Sequence, residues 1–62
     1  MTPAQVEARA YELHQERKAN TARRSQVIAD LMTFDGGERD FCLSSARNAI
    51  AEEEYQAERQ SH

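Results

Sequence analysis

Half of the chain's eight basic side chains fall within the segment RKANTARR, residues 17–24. They are Arg17, Lys18, Arg23 and Arg24, and they stand in a chain whose formal net charge is −3. Guanidinium and ammonium groups that cluster in this way bind phosphate or carboxylate groups. The basic cluster therefore predicts either an anion-binding site or a set of ion pairs with acids elsewhere in the chain.

The first interpretation of the basic cluster is a site for a phosphate-bearing ligand such as a cyclic nucleotide. Its candidate residues combine the four cations with an amide, an aromatic ring for base stacking and a further arginine: Tyr11, Arg17, Lys18, Asn20, Arg23, Arg24 and Arg47. The segment LSSARNAI, residues 43–50, resembles the second-helix segment of phage proteins that sequester cyclic nucleotides from host immunity. The shared positions are Leu43, Ser44, Ala46, Arg47 and Ile50. In place of the hydrophobic continuation of that family's helix, this chain has AEEEY.

No combination of residues typical of a catalytic or metal site is found in the sequence. Ser44 and Ser45 have no histidine at helical spacing, and Cys42 has no base nearby in sequence. A single cysteine with His14 and His62 does not complete a zinc site, and the three consecutive glutamates of residues 52–54 point in different directions on a helix. We therefore expect a protein that is not an enzyme and has no cofactor or metal.

The start of a first helix is marked by Thr2, a suitable N-cap, and by Pro3 at the first helical position. No further proline or glycine interrupts the pattern until Gly36 and Gly37, which favour a chain reversal. Glu38 or Asp40 then caps a second helix, and no alternation typical of strands is present. The prediction is an all-α fold, an antiparallel two-helix hairpin with helices over about 3–33 and 40–59, in a single small domain of residues 1–62.

The apolar seam of the first helix is interrupted in its centre. Positions 6, 10, 13, 17, 20, 24, 27, 31 and 34 follow heptad spacing and are apolar except at Arg17, Asn20 and Arg24. The interruption leaves open an alternative in which Asn20 and Thr21 end one helix and cap another, which gives three short helices.

A hairpin folded at the two glycines pairs residues whose numbers add up to about 74, so that the basic cluster faces the acidic segment AEEEYQAE, residues 51–58. In this second interpretation, Arg17, Arg23 or Arg24 forms ion pairs within the chain or with a dimer mate, and the acids are Glu52, Glu53, Glu54 and Glu58. The second helix is then too short to cover Val6, Ala10, Tyr11 and Leu13. We expect Val6, Ala10 and Leu13 at the interface of a homodimer that forms a four-helix assembly.

The whole-chain composition narrows the function. Sixty-two residues are near the lower limit for a domain that folds alone, which favours a partner chain. The sequence shows neither a signal peptide nor a membrane-spanning run. A lone cysteine suits a reducing compartment. We therefore expect a cytoplasmic protein that does not associate with a membrane. The acidic balance argues against a general nucleic-acid binder.

These observations predict a small acidic helical protein that binds a macromolecular partner, most simply a protein, and occludes or bridges it. We expect an adaptor or an inhibitor that is encoded by a phage or a mobile element. Sequestration of a phosphate-bearing ligand is the first alternative. The second alternative is a DNA-binding regulator, because SQVIADLM, residues 25–32, resembles the first helix of a helix-turn-helix motif, although the turn that follows is too long for one.

Overall fold

The computed structural model describes residues 1–60, and within them the chain forms three helices and no strand. Helix α1 covers Pro3–Ala22, α2 covers Gln26–Leu31 and α3 covers Gly36–Gln60. The all-α prediction is thus confirmed. The last two residues of the predicted domain, including the His62 considered as a metal ligand, lie outside the described residues.

Helix α1 begins where the sequence predicts, because its first turn forms a capping box. The Thr2 hydroxyl accepts a hydrogen bond from the Gln5 backbone N–H at 3.2 Å, and the Gln5 side-chain oxygen accepts one from the Thr2 N–H at 2.8 Å. Pro3 occupies the first helical position, where no N–H is needed.

The predicted continuous helix over 3–33 is wrong, because α1 ends at Ala22 and a new helix starts at Gln26. Ser25 takes an extended conformation (φ −157°, ψ 114°), and its hydroxyl accepts a hydrogen bond from the Ile28 N–H at 3.3 Å. A serine in that conformation ends one helix and caps the next without any proline or glycine. The alternative of three helices is correct in number, but the break lies at Ser25 rather than at Asn20 and Thr21.

Helix α3 begins earlier than the predicted residue 40. Gly36 has a φ of +51°, the left-handed conformation that glycine adopts without a steric penalty, and it opens the helix instead of ending one. The Asp35 carbonyl accepts the Arg39 N–H at 3.2 Å, and the Asp35 carboxylate accepts the Thr33 hydroxyl at 2.7 Å. Helix α3 continues to Gln60, the last residue that the structure describes, and so covers the predicted range up to residue 59.

Helices α1 and α3 pack antiparallel, as the predicted hairpin requires, while α2 packs against α1 alone among the described helices. The buried core between α1 and α3 consists of Val6, Ala10, Cys42, Ala46 and Ile50. The molecule measures 48 × 22 × 13 Å, so its thickness is close to that of a single layer of helices. A single layer leaves one face of each helix without a covering element.

The expectation that Val6, Ala10 and Leu13 project uncovered beyond the hairpin is wrong. Val6 and Ala10 are buried in the core, and Leu13 packs against it. The reason is the early end of α1, which moves the chain reversal to residues 23–35 and lets the long α3 run past the N-terminus of α1. These three side chains pack inside the chain, and the homodimer stays a prediction.

No helix within residues 1–60 is both long and apolar enough to cross a membrane.

Candidate functional site

The first arginine of the basic cluster has a carboxylate partner within the chain. Arg17 donates from Nε to Glu38 Oε1 at 2.9 Å and from Nη2 to Glu38 Oε2 at 3.1 Å, and its guanidinium lies 4.4 Å from the centre of the Phe41 ring. Such a two-point pair has the geometry of the strong arginine–carboxylate interactions. Arg17 is therefore held in place by α3.

Within residues 1–60, no ion pair joins Arg17, Arg23 or Arg24 to the predicted partners Glu52, Glu53 or Glu54. Glu53 instead accepts two hydrogen bonds from Arg9, at 2.7 and 2.9 Å, and Glu54 lies 3.4 Å from the N-terminal amine. The acidic segment thus faces the start of α1, because the break at Ser25 shifts the register of the hairpin. Pairing with a dimer mate stays a prediction.

The remaining cations of the cluster, Lys18, Arg23 and Arg24, have no carboxylate partner among residues 1–60. Arg23 and Arg24 are exposed in the turn between α1 and α2. Two adjacent arginines without a carboxylate partner retain their full capacity to bind an external anion or acidic group.

A surface concavity of about 620 Å³ lies at this turn. It is lined by three arginines, three polar residues and one apolar residue: Arg17, Asn20, Thr21, Arg23, Arg24, Ser25 and Ile28. The structure thus brings together four of the seven predicted ligand-binding residues. Tyr11 is not among them, since its ring packs edge-on against Phe34 with the centroids 5.5 Å apart. Lys18 is also absent from the lining, and Arg47 lines a separate concavity near the N-terminus.

An exposed apolar face on α2 adjoins this concavity. Val27, Ile28 and Leu31 are 71%, 56% and 75% exposed, and Ala29 is the buried residue of the helix. Residues separated by three and four positions lie side by side on a helix, so the three side chains form one continuous patch. The heptad spacing predicts Val27 and Leu31 on the apolar seam of a continuous first helix. Their exposure follows from the break at Ser25, which rotates and displaces α2 relative to α1.

A second group of functional side chains meets at Glu38, between α1 and α3. Glu38 Oε1 lies 3.1 Å from His14 Nδ1 and 3.6 Å from Cys42 Sγ, in addition to its two bonds with Arg17. The hydrogen bonds from Arg17, with a smaller contribution from His14, lower the pKa of Glu38 to about 2 against the opposing effect of burial. Burial and the adjacent carboxylate raise the pKa of the Cys42 thiol. Glu38 is therefore an anion and Cys42 a thiol at neutral pH.

The sequence predicts only a capping role for Glu38. His14 lies 24 residues away from Glu38, and Arg17 lies 21 residues away. The only local signal is the four-residue spacing of Glu38 and Cys42, which puts both on one face of α3.

Comparison with protein-family models, with curated proteins and with solved structures finds no match to this chain.

Proposed function

We propose that this protein is a non-catalytic binding module that attaches to a partner protein through the α2 surface, defined as Arg23, Arg24, Val27, Ile28 and Leu31. The observation that carries the proposal is the exposure of three large apolar side chains on a single six-residue helix. A contiguous apolar patch of this kind, bordered by polar residues, is typical of a site of protein interaction.

The chemistry of the α2 surface indicates the kind of partner. Val27, Ile28 and Leu31 supply apolar area. Arg23 and Arg24 line the same concavity as Ile28 and have no carboxylate partner in residues 1–60. The core of a protein interface is enriched in arginine and apolar side chains, and charge complementarity selects the partner. The matching surface is an apolar groove bordered by carboxylates, which the module would occlude or bridge to another molecule.

The test compares partner capture by matched variants. Tagged wild-type protein, Val27→Ser/Leu31→Ser and the control Tyr55→Ser are each incubated with a bacterial lysate, and retained proteins are quantified by mass spectrometry. Tyr55 is also exposed but lies near the far end of α3, so its variant removes apolar area outside the α2 surface. We expect a retained protein that is lost only with the α2 variant. Equal retention by all three proteins would contradict the proposal.

The experiment must also distinguish a partner protein from a second copy of this chain as the molecule that binds the α2 surface. Sedimentation of the purified wild type at micromolar concentration measures self-association directly. A homodimer that the α2 variant converts to monomer would assign the surface to self-association, whereas a wild-type monomer leaves it free for a different protein.

One observation favours a second candidate function, the binding of a phosphate-bearing small ligand. The concavity at the α1–α2 turn, about 620 Å³, brings the guanidinium groups of Arg23 and Arg24 together with the Ser25 hydroxyl, while Arg17 in the same lining is paired with Glu38. That volume falls within the range of small-molecule sites, roughly 300–1,000 Å³. Hydroxyl and guanidinium donors together are typical of a phosphate site.

This candidate predicts a rise in melting temperature with the ligand, because a ligand that binds the folded state stabilises it. Wild-type protein is screened against mononucleotides, dinucleotides, cyclic oligonucleotides and a short DNA duplex. Arg23→Ala/Arg24→Ala should abolish a shift caused by a small nucleotide, and Arg47→Ala, in a separate concavity, should preserve it. A shift with the duplex alone would instead support a DNA-binding regulator.

A further inference from the structure

Three side chains of the types that bind transition metals converge between α1 and α3. His14 comes from α1, and Glu38 and Cys42 come from successive turns of α3. One ligand atom from each, a ring nitrogen of His14, a carboxylate oxygen of Glu38 and Cys42 Sγ, lies within 4.8 Å of the other two. His14 and Cys42 are buried, and the Glu38 side chain is 16% exposed.

We propose that His14, Glu38 and Cys42 bind a zinc ion. Zinc takes nitrogen, oxygen and sulfur ligands at about 2.0–2.3 Å in tetrahedral geometry, which places neighbouring ligand atoms roughly 3.2–3.8 Å apart. The separations from Glu38 Oε1 are 3.1 Å to His14 Nδ1 and 3.6 Å to Cys42 Sγ. These two separations need a change of only a few tenths of an ångström or less to fit that geometry.

The ligand set selects zinc over harder cations. Thiolate and imidazole ligands favour zinc, whereas magnesium and calcium prefer sites made of oxygen atoms alone. Cys42 loses its proton to solvent as the metal binds, so the thiolate and the Glu38 carboxylate together balance the two positive charges of the ion. With three protein ligands, the fourth position is open to water from the partly exposed side of Glu38.

In this arrangement Arg17 does not bind the metal but hydrogen-bonds the ligating carboxylate of Glu38. Its Nη2 bond to Glu38 Oε2, 3.1 Å long, persists when Oε1 turns to the metal, while the 2.9 Å bond from Nε to Oε1 is given up. A hydrogen bond on the second oxygen of a ligating carboxylate orients the ligand. Bound zinc would then join α1 to α3 across the thin core, a common means of stabilising a domain of this size.

The proposal is tested on the 62-residue chain freed of metal with a chelator. We expect calorimetry to show one zinc ion per chain with a dissociation constant in the micromolar range or tighter, and zinc to raise the melting temperature by several degrees. Cobalt(II) in place of zinc should give the sulfur-to-metal charge-transfer absorption of a cobalt–thiolate bond. Cys42→Ala should abolish this absorption, and His14→Gln should weaken zinc binding at least tenfold.

Two controls separate this site from adventitious binding. His62→Gln removes the other histidine of the sequence, and Glu53→Gln removes an exposed acid that pairs with Arg9, so both should bind zinc as the wild type does. Circular dichroism establishes that each variant is folded; should His14→Gln unfold, Cys42→Ala and the cobalt absorption decide. Absence of zinc uptake at micromolar concentration, or uptake that survives Cys42→Ala unchanged, would overturn the proposal. Neither result bears on the α2 surface.

Discussion

Acid should unfold this protein in part through one carboxyl group, that of Glu38. The two bonds from Arg17 and the contact with His14 favour its ionised form, and its pKa falls to about 2 in the folded chain. In the unfolded chain these partners are lost and the pKa returns to its ordinary value of 4.5. A group whose folded pKa is lowered stabilises the fold above its unfolded pKa and loses that effect as the pH falls towards the folded pKa.

The size of the effect follows from the difference between the two pKa values. One pKa unit corresponds to about 1.4 kcal/mol, so the Glu38 contribution to the free energy of unfolding is about 3 kcal/mol at pH 6. This contribution should disappear progressively between about pH 5 and pH 2. For a chain of this length, such a loss is a large part of the total stability.

The assay is urea unfolding followed by far-ultraviolet circular dichroism, in chelator, at a series of pH values from 6 to 2. Glu38→Gln removes the titrating group while keeping its size, so the variant should be less stable than the wild type by about 3 kcal/mol at pH 6 and nearly equal to it at pH 2. Glu53→Gln is the matched control. The pKa of Glu53 in the wild type is also lowered, by Arg9, but this pair is exposed to solvent, which weakens the interaction.

A parallel loss of stability by the wild type and Glu38→Gln as the pH falls would refute a stabilising role for the charge on Glu38. A constant difference would mean that the glutamine disturbs packing and that the charge on Glu38 contributes little. A convergence as large for Glu53→Gln as for Glu38→Gln would equally show that the buried cluster has no special role.

Three further predictions concern the turn regions and the basic cluster. Ser25→Ala removes the cap of α2 and should cost about 1 kcal/mol in urea unfolding; an unchanged midpoint would show that the break does not depend on the cap. Gly36→Ala should cost about 1–2 kcal/mol because of the positive φ, whereas Gly37→Ala should be neutral or stabilising, and equal effects would contradict the backbone argument. Arg17→Ala should lower the melting temperature while Arg24→Ala leaves it within a degree or two, and the reverse order would show that the pair with Glu38 is not the stabilising one.

Local features of the sequence determined the helical class and the start of α1. Thr2, Pro3 and Gln5 lie within one turn of each other, and their capping interactions need no contact with the rest of the chain. The turn at Gly36 was also predictable, because glycine has no Cβ and adopts a positive φ without a steric penalty. Its place at the start of α3 rather than at the end of a helix was not, since glycine suits either role.

The tertiary structure decided the features on which function depends. Ser25 is a weak local signal, and whether it interrupts a helix depends on how α2 packs against α1. That single break moved Val27 and Leu31 from the predicted apolar seam of the first helix to an exposed surface, and it changed the partner of Arg17 from the acidic segment to Glu38. The physical reason is that the register of a hairpin depends on where the chain reverses. A shift of the reversal by several residues changes every long-range pair, although the composition of each helix stays the same.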